Sequence, residues 1–516
     1  MSTASPRCSP GPLHSLLDEA AGRVPDKPAI ISDDGTVTYR ELAASSRRAA
    51  AWLHQAVGVR RGDRVVILLG SRPETVSTLF AVSRIGAIFV ILSSEMRPYQ
   101  LSQVLADAEP ALLLAGDDQD LPADIDPRTR VVRAGSYRQQ TQVTQARPPE
   151  FPGITTDPVC LIYTSGSTSA PKGVVSTHAN VRFAAAAIGQ RLRIADTDVI
   201  GLFLPLSFDY GLYQVFLSVQ ALSTLALGSQ AHVGPGLLGK LTEWRVTGLP
   251  LMPGIATAIG RLARRTPGRE MPQLRFITNT GARLSPQAIE ELRRVFPDVA
   301  VFPMFGLTEC KRVSILDPAD YPSRPESVGR PLPDTECFVV DEEGRVLPPG
   351  EIGQLIVRGP HVMAGYWRAP ELTDRRFARW RGGTERVLFS GDFCSMDSDG
   401  YLYFHGRDDD IYKSRGYRVS ALEVEGAAAD IDGVEEAAVL PPADGEPARL
   451  IVTGDLQPAQ VLGALRDRLG DYKVPEQAER VGTLPRNANG KTDKRRLRAL
   501  ISGEGQRDAG RQEVAR

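Results

Sequence analysis

The sequence predicts an α/β protein with largely parallel strands, and three observations carry that prediction. Strand-length apolar runs such as RVVILLG and AIFVIL alternate with segments of helical period. The chain has 516 residues, 42% of them hydrophobic, which is too long for one core, so two or more domains are expected. From about Cys337 the alternation gives way to short strands with Gly and Pro turns, and a compact β/α pattern closes the chain.

Leu13, Leu16, Leu17, Ala20, Ala21 and Val24 recur at helical spacing, so an amphipathic helix opens the chain. A second helix runs from near Tyr39 to Ala56 and leads through GVRRGD into RVVILLG. A helix at Pro73–Ile85 precedes the strand Ala87–Leu92. The stretch Gly116–Pro152 is rich in Asp, Gln, Arg and Pro and reads as a weakly structured connection around a short strand or two. After a hydroxyl-rich loop the α/β alternation resumes to about Val313, and Cys337–Tyr403 reads as a small β subdomain. A hinge is expected at GRDDD. This divides the chain into a large portion at 1–407, a small α+β domain at 408–501 and a polar tail at 502–516 that frays.

Lys+Arg is 61 against Asp+Glu 62, a balance with no general pull toward nucleic acid or an acidic membrane. Cys8, Cys160, Cys310, Cys337 and Cys394 form no CxxC pair and are odd in number, which suits a reducing cytoplasm. The histidines form no HExxH, so a zinc site is not expected, and no GxSxG marks a hydrolase. The N-terminus lacks the basic-then-apolar pattern of a signal peptide, and the apolar runs are too short to span a bilayer. A cytoplasmic protein with no membrane insertion is expected.

The chemistry begins at YTSGSTSAPKG. Thr164, Ser165, Ser167 and Thr168 offer hydroxyl hydrogens to phosphate oxygens, and Gly166 lets the backbone come close. Lys172 adds a cation, but Pro171 before it and Gly173 after it break the Walker spacing. Seven further stretches stand in order with this one: LPLSFDYG, TNTGARL, MFGLTE, GEIGQLIVRGPHVMAGYW, FSGDF, GRDDDIYKSRGYRV and LPRNANGKTDKRRL. Together the eight resemble the adenylate-forming (ANL) superfamily of acyl-CoA synthetases, nonribosomal peptide adenylation domains and luciferases, over nearly the whole chain.

The resemblance implies an N-terminal AMP-binding domain of two α/β subdomains plus a distorted β-barrel, with a mobile α+β lid. It implies ATP and Mg2+. A carboxylate attacks the α-phosphorus, pyrophosphate leaves, and a thiol then takes the acyl group from AMP. On this resemblance the hydroxyl-rich loop grips the β- and γ-phosphates, although Ser169 stands where the family usually has Gly. Thr308 contacts the α-phosphate and Glu309 holds Mg2+. Phe305, where Tyr is usual, stacks on adenine beside Gly306. Thr280, Gly281 and Ala282 form the small-residue strip along the nucleotide, and Asp392 accepts from the ribose hydroxyls. Arg407 lies near ribose and phosphate, Asp409 is the hinge, and Gly416 comes close to the acyl site. Lys491 carries the positive charge that meets the forming carboxylate–phosphorus bond.

Asp209 is the informative pocket residue, since amino-acid-activating relatives carry an aspartate there that pairs with the substrate ammonium. Arg312 is the alternative partner for that carboxylate. The other pocket candidates are Tyr210, Tyr213, Thr278, Thr280, Met304, Arg312 and Val313, a polar and aromatic set that argues against a long alkyl chain. The expected substrate is an amino acid or small polar acid. The preferred acceptor is the thiol of a separate carrier protein, with coenzyme A or an amine as alternatives.

Overall fold

The computed structural model describes residues 11–501 apart from 152, 165–170, 266–270, 282, 408–410, 415–416, 444–445, 470, 472 and 488–491. The chain divides into two compact units, 1–337 with 356–390, and 338–355 with 391–516.

The first unit holds two mixed sheets flanked by helices. One has nine strands in the order 330–331, 314–315, 300–305, 276–279, 248–251, 199–202, 224–227, 28–32 and 35–38. The run from 300–305 to 28–32 is parallel, and antiparallel strands close both edges. The other has seven strands in the order 365–366, 172–177, 158–164, 88–91, 64–68, 112–115 and 130–133. Its last five are parallel, while 172–177 and 365–366 are antiparallel additions beside 158–164. Parallel sheets need cover on both faces, which is why their strands read as continuous apolar runs.

The opening helix spans Ser15–Arg23, and Pro73–Arg84 with Ile88–Ile91 follows the expected helix and strand. The helix Tyr39–Trp52 starts on a Thr38–Glu41 capping box and continues as a wider π turn to Val57, one residue past the expected end. Between Gly116 and Pro152 the strand Arg130–Arg133 was legible, but a helix at Ala134–Val143 was not. Tyr137 is its single buried anchor. The Tyr137 hydroxyl lies 2.6 Å from Thr78 Oγ1, and its ring meets Trp52 edge-on at 5.3 Å. A helix with one apolar contact shows no 3.6-residue period. The β-rich stretch from Cys337 contains strands 336–340, 353–358, 377–379, 386–396 and 402–407.

In the second unit, Asp392–Met396 pairs antiparallel with Leu402–Arg407. Its C-terminal part is α+β, with strands Val434–Leu440, Arg449–Gly454 and Gln477–Arg480 in one sheet. The helices Ala421–Ala429 and Pro458–Arg466 bury Val424, Ala428, Val461 and Leu465 with Val439, Leu450 and Val452 of that sheet.

Candidate active site

The strand Ala300–Phe305 ends at Phe305 and the chain returns as Ser314–Ile315, with Phe305 opposite Ser314. Residues 306–313 therefore form a tight turn that carries Thr308, Glu309, Lys311 and Arg312. Gly306 is required there, because a Cβ on it would lie 2.1 Å from the Lys311 carbonyl oxygen. Lys311 stands in the left-handed region at φ 60°.

Asp209 is the first residue of the helix Asp209–Ala221, which delivers its carboxylate to that turn. Thr308 Oγ1 donates to Asp209 Oδ2 at 3.1 Å. The Lys311 amine lies 3.8 Å from the same oxygen and 5.4 Å over the Tyr213 ring. The Lys311 side chain is 3% exposed, and its amine has no hydrogen-bond partner among the described residues. Arg312 turns away. Its Nη1 donates to Thr280 Oγ1 at 2.6 Å, and its guanidinium lies 5.5 Å over Tyr210. Burial pushes the Arg312 pKa down, opposed by Tyr210 and Asp209. Tyr210 donates to Thr278 O at 2.8 Å, and burial pushes its phenol up. The cation beside Asp209 is thus Lys311, with Arg312 one residue further on along the same wall.

A cavity of about 10 Å³, room for one water, is lined by Asp209, Tyr210, Tyr213, Met304, Lys311 and Arg312 among others. The Tyr213 hydroxyl also has no hydrogen-bond partner among the described residues, and burial holds that phenol far above its usual range. Thr278 and Thr280 act as partners of Tyr210 and Arg312. Val313 is fully buried and serves the turn, its N–H donating to Phe305 O at 2.9 Å. Gly281 takes φ 83°, next to buried Thr280. Lys311 was missed in the sequence although TECKR holds two adjacent cations, because which of two neighbours faces the pocket depends on the left-handed residue.

Thr164 and Lys172 face each other in register at the loop end of the hairpin Pro158–Thr164 and Lys172–Thr177. A second segment ties this hairpin to the turn. Gly365 and Tyr366 pair with Val175 and Val174, and Trp367 N donates to Gly173 O at 2.7 Å. Met363 N donates to Glu309 O at 2.9 Å, and the Tyr366 hydroxyl donates to Glu309 Oε1 at 2.7 Å. Asn180, which completes the cap of the helix His178–Leu192, also donates to Pro360 O and Val362 O at 2.8 and 3.1 Å. Glu309 is half-buried and no described residue engages its Oε2, which leaves one oxygen for a hard cation. Among the described residues no group of three His, Cys, Asp or Glu forms a metal cage.

In the second unit Asp392 is 1% exposed, and Arg407 Nε lies 3.2 Å from its Oδ1 across the antiparallel pair. Ser165, Gly166, Ser167, Thr168, Ser169, Ala282, Asp409, Gly416 and Lys491 lie outside the described residues.

A hairpin ending in Thr164 and Lys172, an acidic turn and a charged cavity with room for one water thus stand on the two mixed sheets of an α/β enzyme. The chain belongs to the AMP-binding enzyme family, whose profile matches residues 17–367, and the AMP-binding enzyme C-terminal domain matches residues 423–491. It is 31% identical to the L-proline--[L-prolyl-carrier protein] ligase of Streptomyces coelicolor, over 96% of this chain and 97% of that protein. It is 30% identical to the 2-succinylbenzoate--CoA ligase of Bacillus velezensis, over 95% of this chain and 98% of that one. Against the phosphinothricin tripeptide synthetase PhsC of Streptomyces viridochromogenes the identity is 31% over 94% of this chain, which spans 45% of that longer protein. Among solved structures, VinN in complex with L-aspartate is 36% identical, with TM-score 0.69 over 77% of this chain and 99% of that one. ATP-bound MatB from Rhodopseudomonas palustris is 26% identical, with TM-score 0.84 over 95% and 99%.

Proposed function

We propose that this chain activates an amino acid bearing a second carboxylate and delivers it to the thiol of a separate carrier protein. The chain is an AMP-forming acid–thiol ligase: a carboxylate oxygen attacks the α-phosphorus of ATP, the α–β anhydride bond breaks and pyrophosphate leaves. The thiol sulfur then attacks the acyl carbon, AMP leaves, and the thiol proton passes to solvent.

One observation carries the substrate class. Asp209 and the Lys311 amine share one small cavity, and that buried amine has no hydrogen-bond partner among the described residues. A buried charge left short of partners is costly unless a ligand completes it. A substrate ammonium that takes Asp209 competes with Lys311 for it. The released Lys311 then faces the substrate's second carboxylate. The exchange replaces one opposite-charge pair by two. The solved relative VinN, crystallised with L-aspartate, supports an amino dicarboxylate, and the prolyl-carrier-protein ligase supports a carrier acceptor.

Thr164 and Lys172 flank the loop that grips the terminal phosphates, Thr308 reaches the α-phosphate, Asp392 takes the ribose, and Lys491 brings its charge to the forming bond. Glu309 would hold Mg2+, which when bound neutralises charge on the phosphates.

Pyrophosphate exchange across amino dicarboxylates, neutral amino acids, aryl acids and fatty acids tests this reading. Exchange with amino dicarboxylates is the expected result, and exchange confined to neutral amino acids or aryl acids overturns it. Lys311→Met should lower kcat/KM for the dicarboxylate by about 10- to 100-fold, the range for hydrogen bonds to charged groups, with the KM for ATP unchanged. Supplying coenzyme A and a carrier protein separately then identifies the acceptor.

A further inference from the structure

The segment that ends in AGYW has no place in the chemistry above, yet it touches the acidic turn and the phosphate hairpin together. We infer that Tyr366 is a positioning residue that aims the Glu309 carboxylate at the cation accompanying ATP. This rests on the reading of Glu309 as the cation's protein ligand.

The contact is built for the purpose. Tyr366 is nearly buried, and its ring packs edge-on against Phe377 at 5.4 Å. The two-residue strand Gly365–Tyr366 fixes its backbone on Val174 and Val175, so the phenol cannot follow a drifting carboxylate. The hydroxyl donates to Glu309 Oε1 at 2.7 Å, while Met363 N holds the Glu309 carbonyl at 2.9 Å. Side chain and backbone of Glu309 are thus clamped by residues three positions apart in one segment. Arg376, whose guanidinium donates to Ser390 O, opposes the burial and the Glu309 charge that raise the phenol. An ionised carboxylate only accepts, so the phenol proton lies toward Glu309. One carboxylate oxygen is engaged and the other is left for the cation. Partners that orient a metal-binding carboxylate in this way typically change metal affinity 10- to 100-fold when removed.

Equilibrium ATP binding, measured by calorimetry with Mg2+ and again in EDTA, separates this role from a structural one. Tyr366→Phe keeps the packed ring and should weaken ATP about 10- to 100-fold in Mg2+, while affinity in EDTA changes less than about twofold. Glu309→Gln should show the same Mg2+-selective loss, and the double variant should bind no worse than Glu309→Gln alone. Equal weakening by Tyr366→Phe with and without Mg2+, or full additivity in the double variant, overturns the inference. If Glu309→Gln is Mg2+-selective and Tyr366→Phe is not, only the positioning role falls. If Glu309→Gln leaves Mg2+ dependence intact, the reading of Glu309 falls and takes the positioning role with it. Should Tyr366→Phe fail to fold, Phe377→Leu loosens the ring that carries the phenol, with a smaller Mg2+-selective loss expected and a Mg2+-independent one overturning the inference.

Discussion

Lys311 spends backbone strain to be where it is. A non-glycine residue at φ 60° costs about 1–2 kcal/mol, and strain of that kind persists where the surrounding structure imposes it. Here the strain places a buried amine 3.8 Å from Asp209, where it earns no hydrogen bond within the described protein. Packing alone would favour an apolar side chain at that point, so the cation is best explained by a ligand. Lys491 poses the complementary case, a lone lysine in NANGKTDK whose role comes from its motif. Lys491→Ala should slow adenylate formation by about a hundredfold or more, the cost of one well-aimed charge stabiliser. Thioester formation from supplied acyl-adenylate should persist. Single-turnover assays of the two half-reactions check this, and equal loss in both would contradict it.

At the scale of elements, the site is a meeting of one turn, one hairpin and one short strand. The turn 306–313 exists because Gly306 lets two chain segments pass at contact distance. Gly306→Ala would drive a methyl to 2.1 Å from the Lys311 carbonyl. Backbone cannot give as a side chain can, so we expect a loss of about 1–3 kcal/mol in urea unfolding. The displaced turn carries both Thr308 and Lys311, so substrate-dependent pyrophosphate exchange should fall further than stability alone explains. An unchanged urea midpoint would show that the turn opens without cost. The helix His178–Leu192 contributes at its start, where Asn180 caps the helix with one end of its amide and holds the 360–362 carbonyls with the other.

For the molecule as a whole, acid should act in two stages. Burial pushes His14 down to about 3, His178 to about 4 and His361 to about 4, with Arg84 adding to the effect at His14 and Arg182 at His178. The folded chain keeps these rings neutral, while the unfolded chain protonates them near their ordinary value of 6.5. Their contribution is present in full above pH 6.5 and is lost as pH falls toward 4. Burial alone would raise the carboxyl of Asp18, but Arg84 and Arg47 hold it below its usual range, and Arg275 does the same for Asp198 against its burial. Those contributions persist to about pH 4 and are lost below it. Urea midpoints recorded from pH 8 to 3 should therefore begin to fall near 6.5, before any carboxylate protonates. A flat profile down to pH 4 would show that the three rings gain protons without unfolding.

Apolar period, a local property of a chain, was enough for the α/β class, and the type of chemistry came from the resemblance of eight ordered motifs to the adenylate-forming enzymes. The family resemblance pointed to Asp209 for a substrate ammonium, with Arg312 as its alternative partner, and to Glu309 for the cation. Tertiary structure decided which neighbours those carboxylates meet. Lys311 rather than Arg312 faces Asp209 because of one left-handed residue, and Thr308 reaches it across 99 positions of chain. Tyr366 reaches Glu309 across 57, through strand pairing that no local pattern announces. The helix Ala134–Val143 likewise rests on distant contacts, Tyr137 on Thr78 and Trp52, and Gln140 on the Trp52 indole. Contacts of this kind depend on register and turn handedness, which are fixed only when the two sheets close over their shared core.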